Sequence, residues 1–291
     1  FLALMAERFS RRNQAVFERQ SSVNSESLYV LKGKSAWLST AFCSFILLIA
    51  FVIPIAVLIN YAITYFDKAW NVEFFSYAWQ SLKVAGVVSL ITITLSIFVV
   101  FYQRVAKQTY PLVPGRLAST GYALPGTVLA IAVLLPLTLL ENTINTALEP
   151  YNLDIGLLLT GSILTIIIAY IVRFYAIAHG AIESSFLRIS PSLDMASQSM
   201  GKSQGQTLRL VHLPLLRRGL LTAALLVFIE CMKELPAALL LRPFNFESLA
   251  THVFQYVSDE QLELASISAL FIVIVGFIPL YFINRSMEQR S

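Results

Sequence analysis

Ser190-Pro-Ser-Leu-Asp-Met-Ala-Ser-Gln-Ser-Met-Gly201-Lys-Ser-Gln-Gly-Gln-Thr-Leu-Arg-Leu-Val-His-Leu-Pro214-Leu-Leu-Arg-Arg-Gly219 is the core of the longest polar interval in the chain, Arg173–Arg218. Pro191 can open a helix, because its missing N–H falls where no intrahelical acceptor exists. Leu193, Ala196 and Met200 then lie near one face. Gly201 suits a helix C-terminus or a tight turn, and Thr207–Leu210 can form a second short helix before Pro214. The spacing predicts two short helices bent at Gly201 with an apolar edge. Such an edge fits a partner's groove or lies on lipid, and periodicity does not choose between them.

The segments around this interval are apolar. The chain is 57% apolar and 13% charged, with a mean hydropathy of +0.70, whereas soluble domains are about 45–50% apolar and about 25% charged. A spanning helix needs about 20 apolar residues. Ser35–Phe66, Val84–Gln103, Leu117–Leu140, Ile155–Val172 and Leu264–Asn284 meet or approach that length without charge, and Gly219–Leu241 does so while carrying Glu230, Lys233 and Glu234. With six crossings and both termini in the cytoplasm, 17 of the 21 Lys and Arg fall inside, as the positive-inside rule requires. Glu141, Glu149 and Asp154 then fall in an outer loop. The expected fold is all-α and polytopic. Pro54, Pro125, Pro136 and Pro279 are tolerable in such spans, where neighbouring helices satisfy the freed backbone groups.

Other chemistries lack their equipment. No dense basic stripe with interleaved aromatics points to nucleic acid. Cys43 and Cys231 are far apart and read as buried apolar side chains, not as a disulfide framework. His179, His212 and His252 have no metal-ligand spacing. Ala196-x-x-x-x-Gly201-Lys202-Ser203 matches a relaxed phosphate-binding loop, but a working one follows a strand in a parallel sheet. No cofactor is implied.

The polar interval resembles the cytoplasmic loop of binding-protein-dependent ABC importer permeases, which reads Glu-Ala-Ala, three residues, Gly, nine residues, Ile-x-Leu-Pro. Here Gly201 is followed at that spacing by Val211-His-Leu213-Pro214. Met195 stands at the Glu position, Ala196 matches, Ser197 replaces the second Ala, and Asp194 supplies a carboxylate one position early. Gly121-Tyr-Ala-Leu-Pro-Gly-Thr-Val-Leu-Ala and Lys233-Glu-Leu-Pro-Ala-Ala-Leu-Leu-Leu-Arg-Pro-Phe-Asn-Phe resemble the ferric-iron branch of that family. Members of that branch are commonly two fused six-helix halves, and this chain resembles the second.

The resemblance implies a multi-pass permease of the bacterial inner membrane, itself not an enzyme, with residues 1–35 as a cytoplasmic connector, 36–285 as the six-helix domain and 286–291 as a tail. Residues 180–218 would be the coupling loop. The implied partners are a cytoplasmic ABC ATPase dimer, a second permease half, a periplasmic substrate-binding protein and the lipid bilayer. Asp194, Met195, Ala196, Ser197, Gly201, Val211, Leu213 and Pro214 would meet the ATPase.

Glu230 and Lys233 are three apart and can pair on a helix, with Glu234 on the same face as Glu230. Ionisable groups inside a membrane pair or face water, so these three either fix helix packing or line and gate the passage of a cationic substrate. Ferric iron is the expected cargo. Thiamine, a polyamine or an oxyanion is the alternative, and a non-transporting scaffold or sensor subunit is the alternative of another class.

Overall fold

The computed structural model describes residues 31–106, 119–151 and 156–288, and every regular element among them is helical. The expected connector thus lies almost wholly outside the described residues, as do Lys107, Arg116 and Asp154. The chain divides into two units at Ile53 and Pro54.

The first apolar run is helical over Lys34–Thr64. It consists of α1 (Lys34–Leu47), a π turn (Leu48–Val52) and α2 (Ile53–Thr64). The π turn ends two residues before Pro54. A proline cannot donate to the carbonyl four residues back, and its ring crowds that carbonyl. Widening the turn, with Ile53 N–H reaching Leu48 O, absorbs the mismatch. Cys43 lies exposed in α1, contrary to expectation, while Cys231 is buried.

After a short α3 (Phe66–Ala69), the second unit is built on α4 (Val72–Ala106), α5 (Gly126–Leu148), α6 (Ile163–Leu187) and α9 (Leu213–Met232). Between α6 and α9 come α7 (Pro191–Ser199), α8 (Gln204–Thr207) and a second π turn (Leu208–His212). The chain ends with α10 (Pro236–Leu241), α11 (Leu249–Ser258) and α12 (Leu262–Glu288). Residues 289–291 of the expected tail lie outside the described residues.

Helices α4, α6 and α9 pack on one another, α10 packs on α5, and α11 packs on α12. Small side chains sit at the closest approaches: Ala85, Ala169, Ala178 and Ala223 are all but inaccessible. This is how membrane helices associate, since lipid offers no hydrophobic drive between them. Ser89 Oγ adds a 2.8 Å bond to Ala224 O. Outward faces carry Leu90, Phe98, Leu135 and Leu139, all exposed, a surface that suits hydrocarbon rather than water.

Among the described residues, four helical runs are long and apolar enough to cross a bilayer: Lys34–Thr64, Val72–Val105, Gly126–Tyr151 and Ile163–Leu187. The apolar part of α12, Leu262–Ile278, is shorter, and α9 carries Arg217, Arg218 and Glu230.

Two boundaries differ from the sequence reading. The expected span from Leu117 begins only at Gly126, after Pro125, and runs to Leu148. Glu141 is therefore a fully buried helix residue, not part of an outer loop. Its carboxylate accepts from Leu159 N at 2.7 Å and from the Thr160 hydroxyl at 2.5 Å. Likewise, α6 starts at Ile163 rather than Ile155 and continues to Leu187. Ser162 caps its start, accepting from Leu164 N at 3.3 Å. Arg173 thus sits in mid-helix, and residues 188–212 connect α6 to α9.

Candidate functional site

The connection folds much as its turn chemistry dictates. Ser190 caps α7, with Pro191 in its first turn. Gly201 takes φ +73° after its last turn. Gly201 N–H reaches Gln198 O at 2.9 Å and Lys202 N–H reaches Ser197 O at 3.1 Å, the paired bonds of a Schellman motif. These N–H groups are already engaged, so Gly201-Lys202-Ser203 is not a phosphate cradle of the kind that needs free N–H groups. Ser203 and Gln206 then form a capping box that starts α8. Ser197, fully buried, meets the Thr207 hydroxyl at 2.8 Å and ties the two short helices together.

Leu193, Ala196 and Met200, the anticipated apolar edge, are exposed, and so is Met195. Asp194 points the other way. Its Oδ2 accepts from Arg104 Nε at 2.7 Å, and its Oδ1 lies 2.8 Å from His212 Nε2. Arg104 ends α4 and also donates to Phe186 O at 2.8 Å and Ile189 O at 2.9 Å. One guanidinium fork thereby holds the C-terminus of α6, the linker and the first turn of α7.

His212 is 1% exposed and packs between the rings of Phe101 and Phe186, with centroids 5.7 Å and 5.3 Å away. Burial holds its pKa below the usual histidine value; the Asp194 carboxylate opposes that shift and Arg104 reinforces it. The π turn that places His212 ends two residues before Pro214, the spacing seen before Pro54.

A second cluster lies where α9 breaks. Pro236 cannot continue the helix, which stops at Met232 and resumes as α10. Glu230 and Lys233 pair at 2.7 Å, as their spacing predicted. Glu234 does not share their face, because the break turns it toward α6. It is 7% exposed. Its Oε2 accepts from Arg173 Nε at 2.9 Å and its Oε1 accepts from Ala237 N at 3.2 Å. Tyr170 OH donates to Glu234 O at 3.1 Å, and Arg173 Nη1 donates to Leu124 O at 3.0 Å.

The two stretches singled out for their resemblance therefore meet at Arg173. A Cβ on Gly126 would come within 2.7 Å of Glu234 Oε1 and 3.0 Å of Pro236 Cβ. A Cβ on Gly121 would land on the Val172 carbonyl. Both glycines are demanded by close approach.

Arg104 and Arg173 organise these two clusters, and the sequence did not single them out. Both were assigned to cytoplasmic segments by the charge rule. For Arg173 a signal existed: the apolar run continues beyond it as Phe-Tyr-Ala-Ile-Ala.

The loop is thus anchored to α4, to the end of α6 and to the start of α9, and the broken helix is anchored to α6. The chain belongs to the family described as binding-protein-dependent transport system inner membrane component, which it matches over residues 114–291. It is a multi-pass membrane protein of that family. It is 27% identical to the Fe(3+)-transport system permease protein FbpB 2 of Haemophilus influenzae, over 98% of this chain and 54% of that protein. It is 32% identical to the ferric transport system permease protein FbpB of Actinobacillus pleuropneumoniae, over 42% of this chain and 18% of that protein. The chain thus spans about half the length of the first of these relatives.

Among solved structures, it resembles a chain of a bacterial ABC transporter that imports the acidic polysaccharide alginate. The TM-score is 0.66 and the identity 16%, covering 87% of this chain and 96% of that one. A chain of the MetNI methionine ABC transporter in an inward-facing conformation gives a TM-score of 0.55 at 15% identity, covering 75% and 96%. These two likenesses speak to the fold alone.

Proposed function

We propose that this chain is the membrane-spanning half of an ATP-driven importer of ferric iron in a bacterial inner membrane. The iron reading is carried by the likeness to ferric permeases along 98% of the chain. The remaining parts are a second permease half, a cytoplasmic ATPase dimer that hydrolyses ATP, and a periplasmic binding protein. The chain crosses the membrane six times with both termini inside, its weaker crossings being α9 with α10 and α12.

Coupling begins at the knob formed by α7 and α8. ATP-driven closure of the ATPase displaces it. A partner can shift a two-state equilibrium only by its difference in affinity for the two states, so the knob must be gripped differently in each. Rigid transmission is what the Arg104 anchor supports: Asp194 passes the displacement to α4 and the end of α6, while the His212 contact passes it to the start of α9. At the far end of α9, the break at Lys233–Leu235 is where the helix would change angle. Glu230 and Lys233 would face the passage there, with Glu234 holding the hinge to Arg173.

The test is uptake of radiolabelled ferric iron into proteoliposomes that hold the complete transporter and its binding protein. Uptake should require ATP and exceed that of thiamine, a polyamine or sulfate. Iron-independent uptake of one of those would reassign the cargo, and absence of any ATP-dependent uptake would leave the scaffold reading.

A further inference from the structure

Helix α11, ten residues long and too short to span a bilayer, is attached at two levels. Its start hangs on α4, where Leu249 N–H donates to Ser81 Oγ at 2.8 Å, and Ser248 and Thr251 close a capping box. Three residues on, His252 is 8% exposed. Its ring stands between Tyr77 of α4 and Tyr256 of its own helix, with centroids 5.0 Å and 4.7 Å away. Its Nδ1 lies 3.0 Å from Ser268 Oγ of α12. One imidazole therefore joins α11 to both α4 and α12. Its Nε2 is buried and has no hydrogen-bond partner among the described residues.

That arrangement suits only a neutral ring. Protonation makes both ring nitrogens donors, and Nε2 would then carry a buried N–H and part of a charge with nothing to accept it. Cation–π attraction from the two phenol rings opposes this, but it is smaller than the cost of burying an unpaired charge. The groups facing the ring are Glu73 and Tyr77 of α4, Tyr256 of α11 and Ser268 of α12. Glu73, exposed in the first turn of α4, favours the charged form, yet burial outweighs it and holds the His252 pKa below the usual histidine value. Glu247 is already taken by Arg242 and the Thr251 hydroxyl. The turn after α11 holds Glu260 at φ +59°, a left-handed conformation that costs a non-glycine residue free energy. Opening that corner relieves the strain.

We propose that His252 is a proton-operated latch: neutral, it clasps the second half of α11 to α4 and α12, and protonated, it lets that half swing out from its attachment at Leu249. With the orientation proposed above, on which the sidedness rests, α11 lies at the outer face. The latch then reads the pH of the outer medium, and an acid medium lowers uptake by removing the brace between α4 and α12.

The first experiment is hydrogen exchange, corrected for intrinsic rates, on the assembled transporter in lipid nanodiscs. From about pH 7.5 to about pH 5.5, opening of residues 253–258 should rise about tenfold, because the open state takes up a proton near 6.5 that the closed state resists. The amides of Leu249 and Thr251 should change little. His252→Phe with Ser268→Ala keeps a ring between the phenols, leaves no hydroxyl unpaired and should remove the rise. Ser268→Ala alone should loosen the segment at every pH and keep the rise. The second experiment is uptake into proteoliposomes with ATP inside and the interior held near pH 7.5. Acidifying the outside should reduce wild-type uptake several-fold and reduce that of the double variant less.

No rise in the wild type, or the same rise in the double variant, overturns the latch. Should the double variant not fold, loss of the rise in Ser268→Ala, whose imidazole still titrates, overturns it instead. Equal loss of uptake in both proteins overturns its part in transport. A response that follows the interior pH overturns the orientation and not the latch.

Discussion

Arg104 at the end of α4 donates to Asp194 in the first turn of α7 at 2.7 Å, joining residues 90 apart in sequence. The same guanidinium holds two backbone carbonyls, so one side chain decides where the knob sits. Arg104→Ala is expected to cost about 2 kcal/mol locally, in the range for a charged hydrogen-bonded group. Arg104→Lys should recover little, because an ammonium lacks the planar fork. Hydrogen exchange over residues 190–212 should quicken in both variants, and ATP-dependent uptake should fall with it.

His212 predicts a pH response. Buried and neutral, it keeps its folded pKa below the ordinary value, which is about 6.5. Above that value the folded and unfolded loops bind the same number of protons and the loop has its full stability. As pH falls through about 6.5, the unfolded loop takes up a proton that the folded one resists, and stability is lost. Intrinsic-rate-corrected exchange over Ser203–Leu213 should therefore rise between about pH 7.5 and about pH 5.5. His212→Gln should flatten that rise.

Gly201 occupies the left-handed region at φ +73°, and a Cβ there would meet no atom within 4 Å. The cost of substitution is thus conformational, not steric. Gly201→Asn should be mildest, Gly201→Ala should cost about 1 kcal/mol, and Gly201→Val should be worst. ATPase binding and uptake should fall in that order, and loss of uptake in Gly201→Val is the sharpest readout.

Gly126→Ala places a methyl against Glu234 Oε1 and Pro236 Cβ. Overpacking of this kind costs about 1–3 kcal/mol, and here Glu234 Oε1, which accepts from Ala237 N, must also shift. The expected result is a lower unfolding temperature and reduced uptake, with ATPase binding at the distant knob unchanged. A wild-type unfolding temperature and normal uptake would show that the α5–α10 approach can relax.

Glu230 and Glu234 should behave differently despite their proximity in sequence. Glu230 pairs with Lys233, whose side chain is 55% exposed. Glu234 is buried with Arg173. Glu234→Gln leaves a buried guanidinium unpaired and should cost about 3 kcal/mol, seen as a lower unfolding temperature. Glu230→Gln should leave that temperature nearly unchanged while reducing uptake of a cationic cargo if it lines the passage.

Much of the architecture follows from local rules that the sequence states by itself. Apolar runs dictate an all-α membrane protein, because backbone groups in lipid must be satisfied within helices. Pro191, Gly201 and Pro214 announce where α7 starts, where it ends and where α9 resumes, since proline and glycine act through their own backbones. The 2.7 Å pairing of Glu230 with Lys233 likewise follows from helical spacing.

Only the tertiary structure decided which charges are buried and with whom. Hydropathy penalises a charge without knowing its partner, so the apolar runs end at Glu141 and Arg173 although the helices continue past both. Glu141 is satisfied by Leu159 and Thr160, and Arg173 by a carboxylate 61 residues away. Nothing local to Asp194 reveals that Arg104 and His212 lie against its carboxylate. Desolvation makes an unpaired ion too costly to bury, and the partner that removes that cost is supplied by the fold.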